Sequence, residues 1–154
     1  HPVGCVVSSP DTLAAFRKAT GYFNTFGGNP VSCAAAIATL DVLENEKLRE
    51  NADDVGAYAV DRLRTLAQKY EAIGDVRGSG LFFGAELVKD RETKESDAEL
   101  AERVANAMRH EGILMTRASI HNNTLKIRPP MPFSRAEADF LAETMDKVLG
   151  NLTG

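Results

Sequence analysis

A chain of 154 residues with 44% hydrophobic and 26% charged side chains carries enough apolar surface to bury a core, which excludes a disordered tail. It has no run of about 18 apolar residues to span a bilayer, and its start lacks the charged-then-apolar layout of a signal peptide. A formal charge of −4, with no stretch interleaving aromatics and cations, argues against nucleic acid or a membrane surface as partner. Cys5 and Cys33, each flanked by small or apolar residues, are expected as buried, reduced thiols, which with the absent leader points to the cytoplasm. His1, His110 and His121 show no ligand spacing with one another or with acids, so no metal site is expected. The chain opens at His1-Pro2-Val3-Gly4 without a methionine and reads as a fragment.

In chain order, Val3 to Ser8 is a β-branched run expected as a short strand, followed by a brief helical pattern over Thr12 to Lys18. A polar, Gly-rich loop spans Thr20 to Pro30. Asn29 is placed to cap the next helix, with Pro30 at its first position. The small residues Cys33, Ala34, Ala35, Ala36 and Ala38, with Ile37 and Leu40, predict a buried helix over Val31 to Leu43. From Leu48, apolar residues at Ala52, Val55, Ala59, Leu63, Leu66 and Tyr70 form one helical stripe. The character changes near Glu71, which sets the expected division into residues 1–70 and 71–154. A strand beginning at Val76 is followed by Leu81, Phe83, Ala85 and Leu87 alternating at period two, the pattern of a strand with one apolar face. Lys89 to Glu95 is expected as solvated loop. Ser96 and Glu99 are read as a capping box for a helix ended by Gly112. Strands are expected over Ile113–Thr116 and Thr124–Arg128, and Ser134 with Glu137 caps a last helix that buries Leu141, Met145 and Val148. This order of elements predicts a mixed or antiparallel sheet covered by helices on one face, within an α/β (α+β) class.

The most informative segment is Asn24-Thr25-Phe26-Gly27-Gly28-Asn29-Pro30. A hydroxyl beside two glycines, before a helix N-terminus, offers a donor and backbone N–H groups to an anion such as a phosphate. The same layout also serves as an ordinary capped turn. Gly78, Gly80 and Gly84 resemble a dinucleotide fingerprint only in spacing, because no helix follows them.

The Thr25 to Pro30 string and the small-residue helix behind it resemble the signature of class III (subgroup II) aminotransferases. His1-Pro2-Val3-Gly4 is similar to the segment that follows the cofactor-bonding lysine in that family. Arg77-Gly78-Ser79-Gly80-Leu81 and Leu125 to Pro130 are similar to strands of its C-terminal domain. The resemblance covers essentially the whole chain. It implies the C-terminal small domain of a fold-type I pyridoxal 5'-phosphate (PLP) enzyme, plus a lead-in segment of the large domain. By that resemblance Thr25, Phe26 and Gly27 bind the cofactor, with Thr25 donating to the phosphate of a neighbouring subunit, so a homodimer with shared sites is implied. The Schiff-base lysine is expected upstream of His1, and Lys18, Lys47 and Lys126 stand outside its motif. No catalytic residue is therefore placed within these 154 residues, and the chain alone is expected to be inactive.

Lys126 and Arg128 alternate with Leu125 and Ile127, which sends both cations off one strand face. They are read either as a substrate-binding pair for a carboxylate or phosphate, or as two solvated cations. In many family members an arginine stands three residues before the Pro-Pro pair. That position is Lys126 here, and the arginine is Arg128. The implied activity is transfer of an amino group from an amino acid or amine to an oxo acid or aldehyde. The rival readings are a PLP-dependent phospholyase acting on an amino-alcohol phosphate, which resembles this chain at Leu125 to Met131, and a non-catalytic interaction or dimerisation module.

Overall fold

The computed structural model describes residues 1–154, and its contacts divide them into two units, His1–Glu46 and Lys47–Gly154. The first unit holds α1 (Pro10–Thr20) and α2 (Pro30–Asn45). Ser9 starts α1 by accepting from the Thr12 N–H, and Asn29 starts α2 by accepting from Val31 and Ser32, with Pro30 at the first turn as the sequence predicts. Two expectations fail here. Val3–Ser8 forms no strand, because a strand needs a neighbour for its N–H and C=O groups and the segment pairs with nothing. α2 contains no buried residue, and Val31, Ile37 and Leu40 are exposed, since no layer of this unit packs on that face. Cys5 and Cys33 are likewise exposed free thiols rather than buried ones.

The second unit contains α3 (Leu48–Lys69), β1 (Ile73–Ser79), β2 (Phe82–Asp90), β3 (Glu95–Ser96), α4 (Ala98–His110), β4 (Thr116–Ala118), β5 (Thr124–Ile127) and α5 (Arg135–Thr153). The main sheet runs β1-β2-β5-β4, with β3 appended to β2, and every pairing is antiparallel. One face carries Val76, Phe83, Ala85, Leu87, Leu125 and Ile127, all buried under α3, α4 and α5. α3 brings its predicted stripe, Val55, Ala59, Leu63 and Leu66, into that core. α3 has its apolar partners in the sheet and in α5, so the contact division falls at Glu46/Lys47.

Local differences have local causes. Ser96 pairs with Val88 as part of β3, so the cap of α4 passes to Asp97, whose carboxylate accepts from the Leu100 N–H. The expected strand over Ile113–Thr116 begins only at Thr116, because Ile113 donates to Met108 and closes the end of α4. The Ser134/Glu137 capping box of α5 forms as read.

α3 and α5 are also tied by polar contacts. The Asp146 carboxylate accepts from the Lys69 ammonium at 2.7 Å and from the Tyr70 hydroxyl at 2.6 Å. These two partners hold the Asp146 carboxyl below its ordinary range, against a small opposing effect of burial. A group depressed on folding adds stability above its unfolded pKa, and that contribution is lost as pH falls through the folded value. The thermal midpoint should therefore fall below about pH 4, and Asp146→Asn should flatten that acid limb. Identical acid limbs in the two proteins would refute the linkage.

Candidate functional site

In the first unit, residues 24–30 fold around two asparagines. Asn24 Oδ1 accepts from the N–H groups of Phe26 at 3.1 Å and Gly27 at 2.9 Å, an Asx turn. A Cβ on Gly27 would lie 2.9 Å from the Asn24 side chain, so glycine is what lets the turn close this tightly. Asn29 Oδ1 takes the next free amides, those of Val31 and Ser32. Two of the N–H groups that the sequence offers to an anion are thus already held by Asn24. The loop's bonds leave the Thr25 hydroxyl out, and it stands exposed beside Phe26, which is 82% exposed.

Asn24, Gly27 and Gly28 form part of the wall of a groove of about 790 Å³, with Leu13, Phe16 and Tyr22 as apolar lining and Arg17 as a cation. That volume is within the range of small-molecule sites. A neutral hydroxyl donor, the small side-chain-free positions Gly27 and Gly28, and an adjacent groove fit a phosphate-bearing cofactor. Thr25 is the outright donor, while the Phe26 and Gly27 amides become available only if Asn24 releases them.

In the second unit, Lys126 projects from β5 away from Leu125 and Ile127, which are buried, as the alternation predicts, and Arg128 stands exposed one residue past the end of the strand, which stops at Ile127. Lys126 is half-buried and stands in register with Gly84 of β2, which in turn faces Arg77 of β1. The three cations differ in their company. Arg77 donates to Asp75 and to Glu86, the latter at 2.7 Å, and is held charged by both. Glu86 is correspondingly kept below the usual carboxylate range, first by Arg77 and then by Asn123, against partial burial. Lys126 and Arg128 form no ion pair within the chain, whereas Arg77 is bridged to two acids. Arg128 lies over the Phe82 ring, its guanidinium carbon 5.6 Å from the ring centre.

β5 is fixed on its other side by Asn123, a fully buried polar residue. Its amide donates to Leu87 O at 2.9 Å and Glu86 at 3.3 Å, and its Oδ1 accepts from the Ser119 hydroxyl at 2.7 Å. The turn-closing role of Asn24, and Phe82 and Asn123 altogether, are missing from the sequence expectations. Asn24 had a readable signal, an asparagine just before a Gly-Gly turn, whereas Phe82 and Asn123 depend on strand register.

The family model described as "Aminotransferase class-III" matches residues 1–149. The chain is 44% identical over 145 residues to alanine–glyoxylate aminotransferase 2 homolog 2, mitochondrial, of Arabidopsis thaliana, covering 94% of this chain and 30% of that protein. It is 42% identical over 149 residues to ethanolamine-phosphate phospho-lyase homolog 1 of Caenorhabditis elegans, covering 96% and 32%. The chain therefore spans about a third of the length of these relatives. Among solved structures, a phospholyase from Arthrobacter in complex with phosphoethanolamine matches with a TM-score of 0.86 at 37% identity, over 93% of this chain and 34% of that one. An amine transaminase from an uncultivated Pseudomonas species, solved with PLP bound, matches at 0.77 and 32% identity, over 88% and 31%.

Proposed function

The chain belongs to the class-III aminotransferase family, and from that premise we propose that it is part of a PLP-dependent enzyme moving an amino group from an amino acid or amine to an oxo acid or aldehyde. The observation that carries the reading is the Thr25 loop, a hydroxyl left out of the chain's own hydrogen bonding between an Asn24 turn and the Asn29-capped start of α2. In this reading Thr25 donates to the cofactor phosphate, Gly27 keeps the turn tight, and the Phe26 ring packs beside the cofactor. When bound, PLP supplies the electron sink for breaking a bond at the amino-bearing carbon. Lys126 and Arg128 hold an anionic group of the substrate.

Residues 1–70 are read as the end of a large cofactor-binding domain with its phosphate loop and linking helices, and residues 71–154 as the C-terminal small domain. A homodimer, in which Thr25 serves the partner's cofactor, is supported by the exposed apolar side chains of the first unit, Val6, Val7, Phe23 and Phe26 among them. None of Lys18, Lys47 and Lys126 stands in the family's lysine motif, so the 154 residues by themselves are read as inactive, and the cytoplasm remains the proposed setting.

A second reading, phosphate elimination from an amino-alcohol phosphate, is favoured by one observation. Two cations without an acid partner on one strand face suit a phosphate dianion better than a single carboxylate. The similarity to the Arthrobacter phospholyase adds support.

The test uses the full-length protein. Thr25→Val should weaken PLP retention by about tenfold or more, as expected for losing a hydrogen bond to a charged group, measured by dialysis against graded cofactor. Unchanged retention would remove Thr25 from the cofactor site. Amino transfer from alanine to glyoxylate, set against release of inorganic phosphate from phosphoethanolamine, separates the two chemistries.

A further inference from the structure

Phe82 opens β2 with a ring that is 58% exposed, on the sheet face opposite the core. Its neighbour Phe83 pairs with Ile127, so the next step of the register sets Phe82 beside Arg128. The guanidinium carbon sits 5.6 Å from the ring centre, within the distance at which a cation is attracted to an aromatic face. Arg128 has no carboxylate to hold it, unlike Arg77 on the same face, which Asp75 and Glu86 fix. The ring is thus what restrains a long, rotamer-rich side chain.

We propose that Phe82 is a positioning residue for anion binding: its ring holds the Arg128 guanidinium along the open sheet face, so that Arg128 and Lys126 present donors to one phosphate or carboxylate group. Residues two apart on a strand face stand about 6.5 to 7 Å apart at Cα, a span that one such anion bridges between two long cationic side chains. A free guanidinium loses rotamer freedom when it closes on an anion, and one already stacked loses less. Gly84, between Arg77 and Lys126 in register, adds no side chain that would crowd the anion. The proposal rests on the reading of Lys126 and Arg128 as substrate-binding residues.

The probe is inorganic phosphate, with acetate as the carboxylate comparison, titrated into the full-length protein. The readouts are the Arg128 side-chain Nε–H signal by NMR and the dissociation constant from that signal. Stacking shifts this proton upfield. Phe82→Leu should abolish the displacement and weaken phosphate binding about two- to fivefold, while Phe82→Tyr should retain both. In an Arg128→Gln background Phe82→Leu should add nothing further. Equal affinity for Phe82→Leu and the parent, with Arg128→Gln weakened, overturns the positioning role and leaves the anion site standing. No saturable response at Lys126 or Arg128 overturns both. The ring is largely exposed, so matching thermal midpoints should accompany every Phe82 variant.

Discussion

Gly56→Ala should destabilise the second unit by about 3 kcal/mol. Gly56 faces the turn between β1 and β2 from the middle of α3. A Cβ there would lie 2.1 Å from Gly80 O and 2.4 Å from its carbonyl carbon, so the obstacle is backbone and not a side chain that can swing aside. Alanine gains about 1 kcal/mol over glycine in a helix interior. That gain is smaller than the cost of moving α3 off the sheet, where it buries Val55, Ala59 and Val60, so the net sign is destabilising. Urea unfolding would show a lower midpoint at nearly unchanged slope. A midpoint equal to or above the parent's would mean that α3 and this turn do not approach each other so closely.

Arg91→Met should cost about 3 kcal/mol, with Arg91→Lys recovering only part of it. Arg91 Nη2 lies 2.6 Å from Ala67 O and 2.9 Å from both Tyr70 O and Ile73 O, sharing its protons among carbonyls at and just beyond the end of α3. Helix ends leave carbonyls without intrahelical partners, and here one guanidinium nitrogen supplies several. Its Nε is 3.5 Å from the Glu71 carboxylate, a charge contact without hydrogen-bond geometry. Methionine keeps the apolar stem and removes the donors, and lysine's ammonium cannot reproduce the planar fork. Hydrogen exchange should quicken first at the last turn of α3. Uniform exchange and an unchanged midpoint would show these carbonyls to be satisfied by solvent instead.

Arg91 also illustrates where sequence reading stops. Within Lys89 to Glu95 it looks like one more charge in a solvated loop, because a charge run carries no record of which carbonyls stand beneath it. Phe82 and Asn123 are the same kind of case. Neither has a sequence signal for its role, and strand register sets them beside Arg128 and Leu87.

What the sequence determined by itself is whatever depends on neighbours along the chain. The Asn29 and Ser134 caps, the apolar stripe of α3 and the alternation along β2 and β5 all form as read, because capping and periodicity act within a few residues. Competition and partnership were resolved by contacts distant in sequence. Ser96 and Asp97 are both competent caps, and pairing of Ser96 with Val88 gave the cap to Asp97. Val3–Ser8 has the composition of a strand and α2 that of a buried helix, yet burial and pairing need a second surface, which neither meets in this chain.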